Sequence, residues 1–272
     1  MIERLYGGAD KPIRKVLSEL FPEVPYSEIC AALRRKDVKV DRKRVSSDSM
    51  VVSSGSTVTI YPKKVKEIKF LYEDDQVFAC YKPKGIQSEG SPSFEESVRC
   101  LRPDARLMHR LDTNTDGVLL FTKTPSAYSA VFDAMKEGRI TKYYDAEVYG
   151  VPPVSKPTEL RYYYKKDSEK GRAILSESPK SGFLPVSLRF DIKKRTPNGA
   201  ILSVEIHKGK MHQIRAMLAF YGYFILGDGK YGSDEINRAL GVTKTRLTAS
   251  AIKFSFPSDS PFAYLNEITI SI

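Results

Sequence analysis

The stretch that most constrains this chain is Leu107-Met-His-Arg-Leu-Asp-Thr-Asn-Thr-Asp-Gly117, which runs directly into the apolar segment Val118-Leu-Leu-Phe121. Consecutive apolar residues after a cluster of Thr, Asn, Asp and Gly predict a buried strand entered from a tight loop. Gly117 is free to take a positive φ there. Asp112 sits at the junction, held on its apolar side and open on the other. Arg110, two residues away, shares its face if the backbone is extended. A guanidinium near a carboxylate favours the ionised form, ready to act as nucleophile or base. A surface Arg–Asp pair at a hairpin explains the same residues without chemistry. The rest of the chain has to decide.

Charge narrows the classes of partner. Among 272 residues, 44 basic against 33 acidic side chains give a net charge of +11. Such an excess suits a polyanion, because neutralising phosphates releases condensed counterions. No strongly basic amphipathic helix flanked by aromatics supports a membrane surface instead. No apolar run approaches bilayer length and Met1-Ile-Glu-Arg4 opens no signal peptide, so a cytoplasmic location is expected. Cys30, Cys80 and Cys100 are odd in number and form no CxxC pair. They are expected to pack as buried small hydrophobes, not as a disulfide framework or thiolate metal site. His207 and His212 complete no zinc spacing, and no metal is expected. Neither a phosphate-cradling GxxxxGK nor a GxGxxG follows a strand, so no nucleotide or dinucleotide cofactor is expected, and there is no Gly-x-Ser-x-Gly elbow of a hydrolase either.

At the N-terminus Ile13, Val16, Leu17 and Leu20 recur at helical spacing, with Pro12 suited to the first helical position. Ser27 is the expected N-cap of a second helix that turns Ile29, Ala32 and Leu33 inward. Short strands are expected at Val38–Val40, Arg44–Val45 and Ser56–Tyr61. Between them cluster Arg34, Arg35, Lys36, Lys39, Arg42, Lys43 and Arg44, a run whose plain meaning is a solvated face. The order helix, helix, Arg34-Arg-Lys-Asp-Val-Lys-Val-Asp41, Ser54-Gly-Ser-Thr-Val-Thr-Ile60 resembles the alpha-L RNA-binding motif over residues 12 to 61. Gly55-Ser56 stands where that motif often has Gly–Asp. The resemblance implies a small α+β RNA-binding domain over residues 1–63, with Arg34, Arg35, Lys39 and Lys43 meeting RNA. Lys63, Lys64, Lys66 and Lys69 read as a linker, and a boundary is expected near residue 64.

Beyond it, residues 68–82 read as two strands around an Asp-rich turn, stopped by Pro83 and Gly85. Ser93 and Glu96 form a capping box for a helix to about Leu101. Ser126 is the expected cap of a helix with Tyr128, Val131, Phe132 and Met135 on one face and Gly138 at its end. A strand is expected from Thr141 to Tyr149. The tyrosine-rich, basic stretch from Lys156 to Gly182 reads as a half-exposed strand, with base stacking as the competing reading. Leu184–Ile192 and Ala200–His207 form a hairpin with Asn198-Gly199 as its turn signal. After Gly209, residues Ile214, Met217, Leu218 and Tyr221 define a helix ended by Gly222. Arg215 falls in its first turn, where the macrodipole disfavours a cation. That misfit suggests an anionic partner, a phosphate or a carboxylate such as Asp112; a tolerated surface arginine is the plain alternative. Ile225–Gly232 is turn-rich and explicable as a connection.

Taken together, Lys82-Pro-Lys-Gly85, His109-Arg-Leu-Asp-Thr-Asn-Thr-Asp-Gly117, Lys142-Tyr-Tyr-Asp-Ala-Glu-Val-Tyr-Gly150, Lys210-Met-His-Gln-Ile-Arg215 and Gly227-Asp-Gly-Lys-Tyr-Gly232 resemble the RluA-type pseudouridine synthases. The resemblance covers roughly residues 68 to 256 and places the catalytic domain over 64–272. It implies an α+β fold with a large, mainly antiparallel mixed sheet, and isomerisation of uridines in ribosomal or transfer RNA without a cofactor. Asp112 would be the catalytic carboxylate, Tyr144 the active-site tyrosine, and Arg215 the partner that keeps Asp112 ionised. Arg110 would fill the gap left by a flipped-out uridine, with His109, Lys82, His212 and Gln213 also expected on the RNA side. Asp116, Lys210 and Thr248 stand where Ser, Arg and His are usual, which bears on substrate choice. A monomer is expected. A non-catalytic RNA-binding assembly factor on the same fold is the competing reading.

Overall fold

The computed structural model describes residues 1–24, 26–47, 49–61, 68–91 and 93–272, with the side chain of Ser27 also outside the description. The chain separates into two compact units, Met1–Ile68 with Gln87–Ala105, and Lys69–Ile86 with Arg106–Ile272. The expected boundary near residue 64, and the linker lysines Lys63, Lys64 and Lys66, lie outside the described residues.

In the first unit β1 (Ile2–Leu5), β2 (Lys11–Pro12), α1 (Ile13–Leu20), α2 (Tyr26–Arg34), β3 (Val38–Val40), β4 (Lys43–Arg44), β5 (Val51–Val52), β6 (Thr57–Ile60) and α3 (Phe94–Leu101) follow in order. The order β1-β6-β3-β4 makes one sheet, and β2 pairs with β5. Ile13, Val16 and Leu17 are fully buried, as their spacing requires. Pro12 caps α1 from outside with ψ 137°, because it belongs to the β2 strand. Ser27 lies within the first turn of α2, which starts one residue earlier. Strand β4 ends at Arg44, since Val45 turns into the core and donates its N–H to Val38. Ser93 accepts from the Glu96 N–H and opens α3, which packs against α2. Cys30 and Cys80 are buried as expected; Cys100 is exposed, on the outer face of α3.

The second unit contains β7 (Phe70–Glu73), β8 (Val77–Lys82), β9 (Arg106–Leu107), β10 (Asp116–Thr122), α4 (Pro125–Glu137), β11 (Ile140–Tyr149), β12 (Thr158–Asp167), β13 (Arg172–Ser176), β14 (Leu184–Thr196), β15 (Gly199–Ile206), α5 (Gln213–Phe220), α6 (Asp234–Ala239), β16 (Leu247–Phe254) and β17 (Thr269–Ser271). They make one sheet in the order β13-β12-β14-β15-β11-β16-β10-β8-β7, with β9 on β10 and β17 on β16. Only β10 and β16 run parallel among the described pairs. The fold is therefore α+β with a large, mainly antiparallel mixed sheet.

Several local expectations are corrected here. Thr124, not Ser126, caps α4 and accepts from the Ala127 N–H, because Pro125 takes the first helical position, where its missing N–H costs nothing. The buried face of α4 is Ala127, Val131 and Ala134, which leaves Phe132 51% exposed. Residues 161–164 form part of β12, as the strand reading requires. The β14–β15 hairpin is longer than expected, with Thr196 paired to Gly199 across the two residues Pro197-Asn198. Alternation along β11 puts Ile140, Lys142, Tyr144, Ala146 and Val148 on one buried face. No helix among the described residues is long and apolar enough to cross a membrane.

Candidate active site

Asp112 lies in the loop between β9 and β10, two strands that pair antiparallel. The loop is braced from below by the turn that ends β8. Gly85 donates its N–H to the Thr113 carbonyl at 2.7 Å, and the Thr115 N–H closes a turn on the Asp112 carbonyl at 3.0 Å. Lys82 is fully buried and gives its Nζ to the carbonyls of Pro83 at 3.0 Å and Ile86 at 2.8 Å, with that of Thr113 at 3.5 Å. Burial lowers its pKa to about 8, against the opposing charges of Asp116 and Asp112. Lys82 is thus a brace for the Asp112 loop and offers RNA no surface, contrary to the expectation from sequence.

The Asp112 side chain is 26% exposed and accepts a hydrogen bond from Arg215 Nη1 at 2.8 Å. Arg215 is the third residue of α5 and is almost buried. Its Nε and Nη2 meet the two oxygens of Asp228 at 2.7 and 2.8 Å, a bidentate pair sealed from solvent. Two carboxylates thus answer the unfavourable macrodipole. Burial opposes the Arg215 charge, but its hydrogen bonds to Asp228 and Asp112 outweigh it and raise its pKa further. Burial works against the Asp228 carboxylate as well, and Arg215 with the Lys230 and Tyr231 N–H groups holds it below its ordinary value.

Tyr144, His212 and Tyr164 line the same cavity of about 910 Å³ as Asp112 and Arg215. Burial, and then the Asp112 charge, push the Tyr144 phenol above its ordinary pKa, so it stays protonated at neutral pH. His212 takes a left-handed φ of 57° to start α5, with Nε2 3.9 Å from the Asp112 carboxylate and Nδ1 3.1 Å from the Tyr231 hydroxyl. This chamber holds one carboxylate open to the cavity, a buried phenol and a cationic clamp. It can receive a flat ring and act on an electrophilic carbon or an acidic C–H beside it.

The other expected residues divide. Arg110 is exposed on the cavity wall, and His109 lines it with Nε2 accepting from the Leu120 N–H at 3.3 Å. Gln213, expected to meet RNA, is instead buried, bonded to the Ser187 carbonyl and the Lys210 N–H, because it pins the start of α5. In the first unit Arg34 and Lys43 are exposed. Arg35 is engaged with Glu28 and Asp37, and Lys39 lies over the Tyr61 ring. Asp228 escaped the sequence reading, since Gly227-Asp-Gly229 looks like an ordinary turn. Its signal was the cation at the start of α5, which needed more than one carboxylate. Asp116 and Thr248, two of the positions that depart from the usual pattern, meet: Asp116 accepts from Thr248 Oγ1 at 2.7 Å and from the Tyr81 hydroxyl at 2.6 Å.

The family model for RNA pseudouridylate synthase matches residues 76–220. Ribosomal large subunit pseudouridine synthase C of Escherichia coli (strain K12) is 31% identical, over 86% of this chain and 82% of its own length. The protein of the same name from Buchnera aphidicola subsp. Baizongia pistaciae is 29% identical, over 90% and 86%. Human RNA Pseudouridylate Synthase Domain Containing 1 shares the fold with a TM-score of 0.60 at 20% identity, over 74% of this chain and 83% of that one. Human RNA Pseudouridylate Synthase Domain Containing 4 gives 0.59 at 20% identity, over 75% and 87%. With the family model matching more than half of its residues and relatives aligned over most of its length, the chain belongs to the RNA pseudouridylate synthase family and is an isomerase that converts uridine in RNA to pseudouridine.

Proposed function

We propose that the enzyme works through Asp112 on RNA of the large ribosomal subunit, the substrate named for its bacterial relatives. The observation that carries the assignment is the 2.8 Å bond from the buried Arg215 to a carboxylate that is still open to the cavity. The N1–C1′ bond of uridine breaks, the base turns, and C5 joins C1′; C5 loses a proton and N1 gains one, so nothing is consumed. Asp112 can attack C1′ or take the C2′ proton, and both routes need the charged carboxylate that Arg215 stabilises. Tyr144, protonated at rest, serves as a stacking wall and hydrogen-bond donor for the base. The uridine must leave its stack to arrive, which costs a few kcal/mol and favours loops and single strands. Arg110 fills the vacated place and His212 flanks the entering nucleotide. The first unit adds affinity through exposed cations such as Arg34 and Lys43, and the enzyme acts as a cytoplasmic monomer.

Mapping pseudouridine in ribosomal and transfer RNA from cells with and without the protein tests the substrate. Loss at a large-subunit position is expected; loss confined to transfer RNA would reject it. Asp112→Asn should abolish tritium release from C5-labelled uridine RNA while keeping RNA affinity within roughly threefold.

A further inference from the structure

Lys142 stands two residues before Tyr144 on the same face of β11 and lines the same cavity, yet it is only 8% exposed. Among the described residues no carboxylate forms an ion pair with it, and burial alone acts on its ammonium, lowering its pKa to about 8. The amine is therefore largely charged at neutral pH, with much of its hydration lost and no counter-charge supplied among the described residues.

Its neighbours add none. The Lys208-Gly209-Lys210 turn lies over it, so close that a Cβ at Gly209 would sit 3.9 Å from Lys142 Nζ. Both flanking lysines are exposed and line the cavity. His109 lies near enough for the Lys142 charge to depress it, and with burial as the larger cause its imidazole is pushed down to about 3 and stays neutral. Its Nε2 accepts from the Leu120 N–H, which leaves the proton on Nδ1, a buried atom with no close hydrogen-bond partner among the described residues. Among the described residues, the side chains gathered around the Lys142 amine therefore add two further cations and a neutral imidazole, and no carboxylate.

An unpaired buried ammonium destabilises a fold unless something fills its need. A uracil carbonyl would use one donor and leave the charge uncompensated. A phosphodiester brings a full negative charge and several acceptor oxygens. We propose that Lys142, under the Lys208–Lys210 turn, forms a subsite for one backbone phosphate of the RNA beside the target uridine. This rests on the RNA-modifying reading of the same cleft. The phosphate anchors the RNA while the target base meets Tyr144, two residues further along the same face of β11.

The test uses a short oligocytidylate with one central uridine, which fixes the register, and replaces each phosphodiester in turn with a neutral methylphosphonate. Binding is measured to the full-length protein in an Asp112→Asn background, so that the uridine is not consumed, with Lys142 intact or changed to Met or Arg. With Lys142 intact, one position should cost roughly tenfold in affinity, as expected for a charge-assisted contact. Lys142→Met should bind the parent oligonucleotide about that much more weakly and lose its sensitivity at that position, and Lys142→Arg should keep most of it. In denaturant Lys142→Met should be at least as stable as the parent, since it removes an uncompensated buried charge. A Met variant that keeps the same position-dependent penalty, or one that unfolds more readily, overturns the subsite. If the protein with Lys142 intact fails to bind any of these oligonucleotides, the reading of the cleft as an RNA site fails with it, a distinguishable result.

Discussion

Arg215 is held by two carboxylates of different kinds. Asp228 is sealed from solvent and takes two of its hydrogen bonds; Asp112 is open to the cavity and takes one. The guanidinium's planar fork makes this possible, because Nε and Nη2 can grip one carboxylate while Nη1 is left to aim at another. On the proposed mechanism Asp228 acts through Arg215, as a positioning residue. Replacing it with Asn leaves a buried cation half paired, which should cost about 3–5 kcal/mol of stability in denaturant unfolding. Turnover should fall while RNA affinity holds. The pH dependence of stability has a definite sign. The folded-state pKa of Asp228 is lowered, so its stabilisation is present above its unfolded value near 3.8 and is lost as the pH falls through the folded value. Asp228→Asn should therefore be less stable near neutrality and show a shallower acid limb below about pH 4. An acid limb as steep as that of the wild type would mean that the pair does not form in solution.

At the scale of elements, the site depends on how the Asp112 loop joins its strands. Gly117 has a φ of 117°, and a Cβ there would lie 2.1 Å from the Ala249 carbonyl oxygen, where β10 and β16 run side by side. That close approach sets the parallel register in which Asp116 faces Thr248, with Lys84 Nζ 3.5 Å from the same carboxylate. Gly117→Ala should separate the two strands at the root of the loop. A loss of turnover larger than the loss of RNA binding, together with a lowered Tm, is the expected outcome; an unchanged Tm would show that the crossing is not tight. The sequence made this region partly legible. Val118–Phe121 and Gly117 announced a loop entering a buried strand, and the capping box at Ser93 and the αL stop at Gly138 were readable from local chemistry alone. The brace from Lys82 was not, because a lysine after a strand looks like surface until its carbonyl partners at Pro83, Ile86 and Thr113 are seen together. The short strands β1, β2 and β5 were missed for a related reason. Two to four residues carry too little periodicity, and their pairing partners lie far along the chain.

For the whole molecule the governing quantity is the net charge of +11 and where its exposed part sits. Not every cation in the N-terminal cluster is available to RNA. Arg35 is committed to Glu28 and Asp37, and Lys39 to the Tyr61 ring, whereas Arg34, Arg42, Lys43 and Arg44 are exposed. The sequence could show that these charges cluster but not which of them the fold uses, since that depends on pairing across α2 and β3. Removing the N-terminal residues would be a poor test of their role. Residues 87–105 belong to the same compact unit, and α3 would lose its packing against α2. Exchanging Arg34, Arg42, Lys43 and Arg44 for Gln in the full chain avoids this. If these side chains meet phosphates, each lost contact should lower the slope of log K against log salt by about 0.7 for single-stranded RNA and up to about 0.9 for duplex. Affinity should fall most at low salt, with KM raised and kcat at saturating RNA preserved, because Asp112, Tyr144 and Arg215 are untouched. An unchanged salt slope would take this unit off the RNA-binding surface. A fall in kcat with an unchanged KM would mean that its charges act on the chemistry and not on the hold of the substrate.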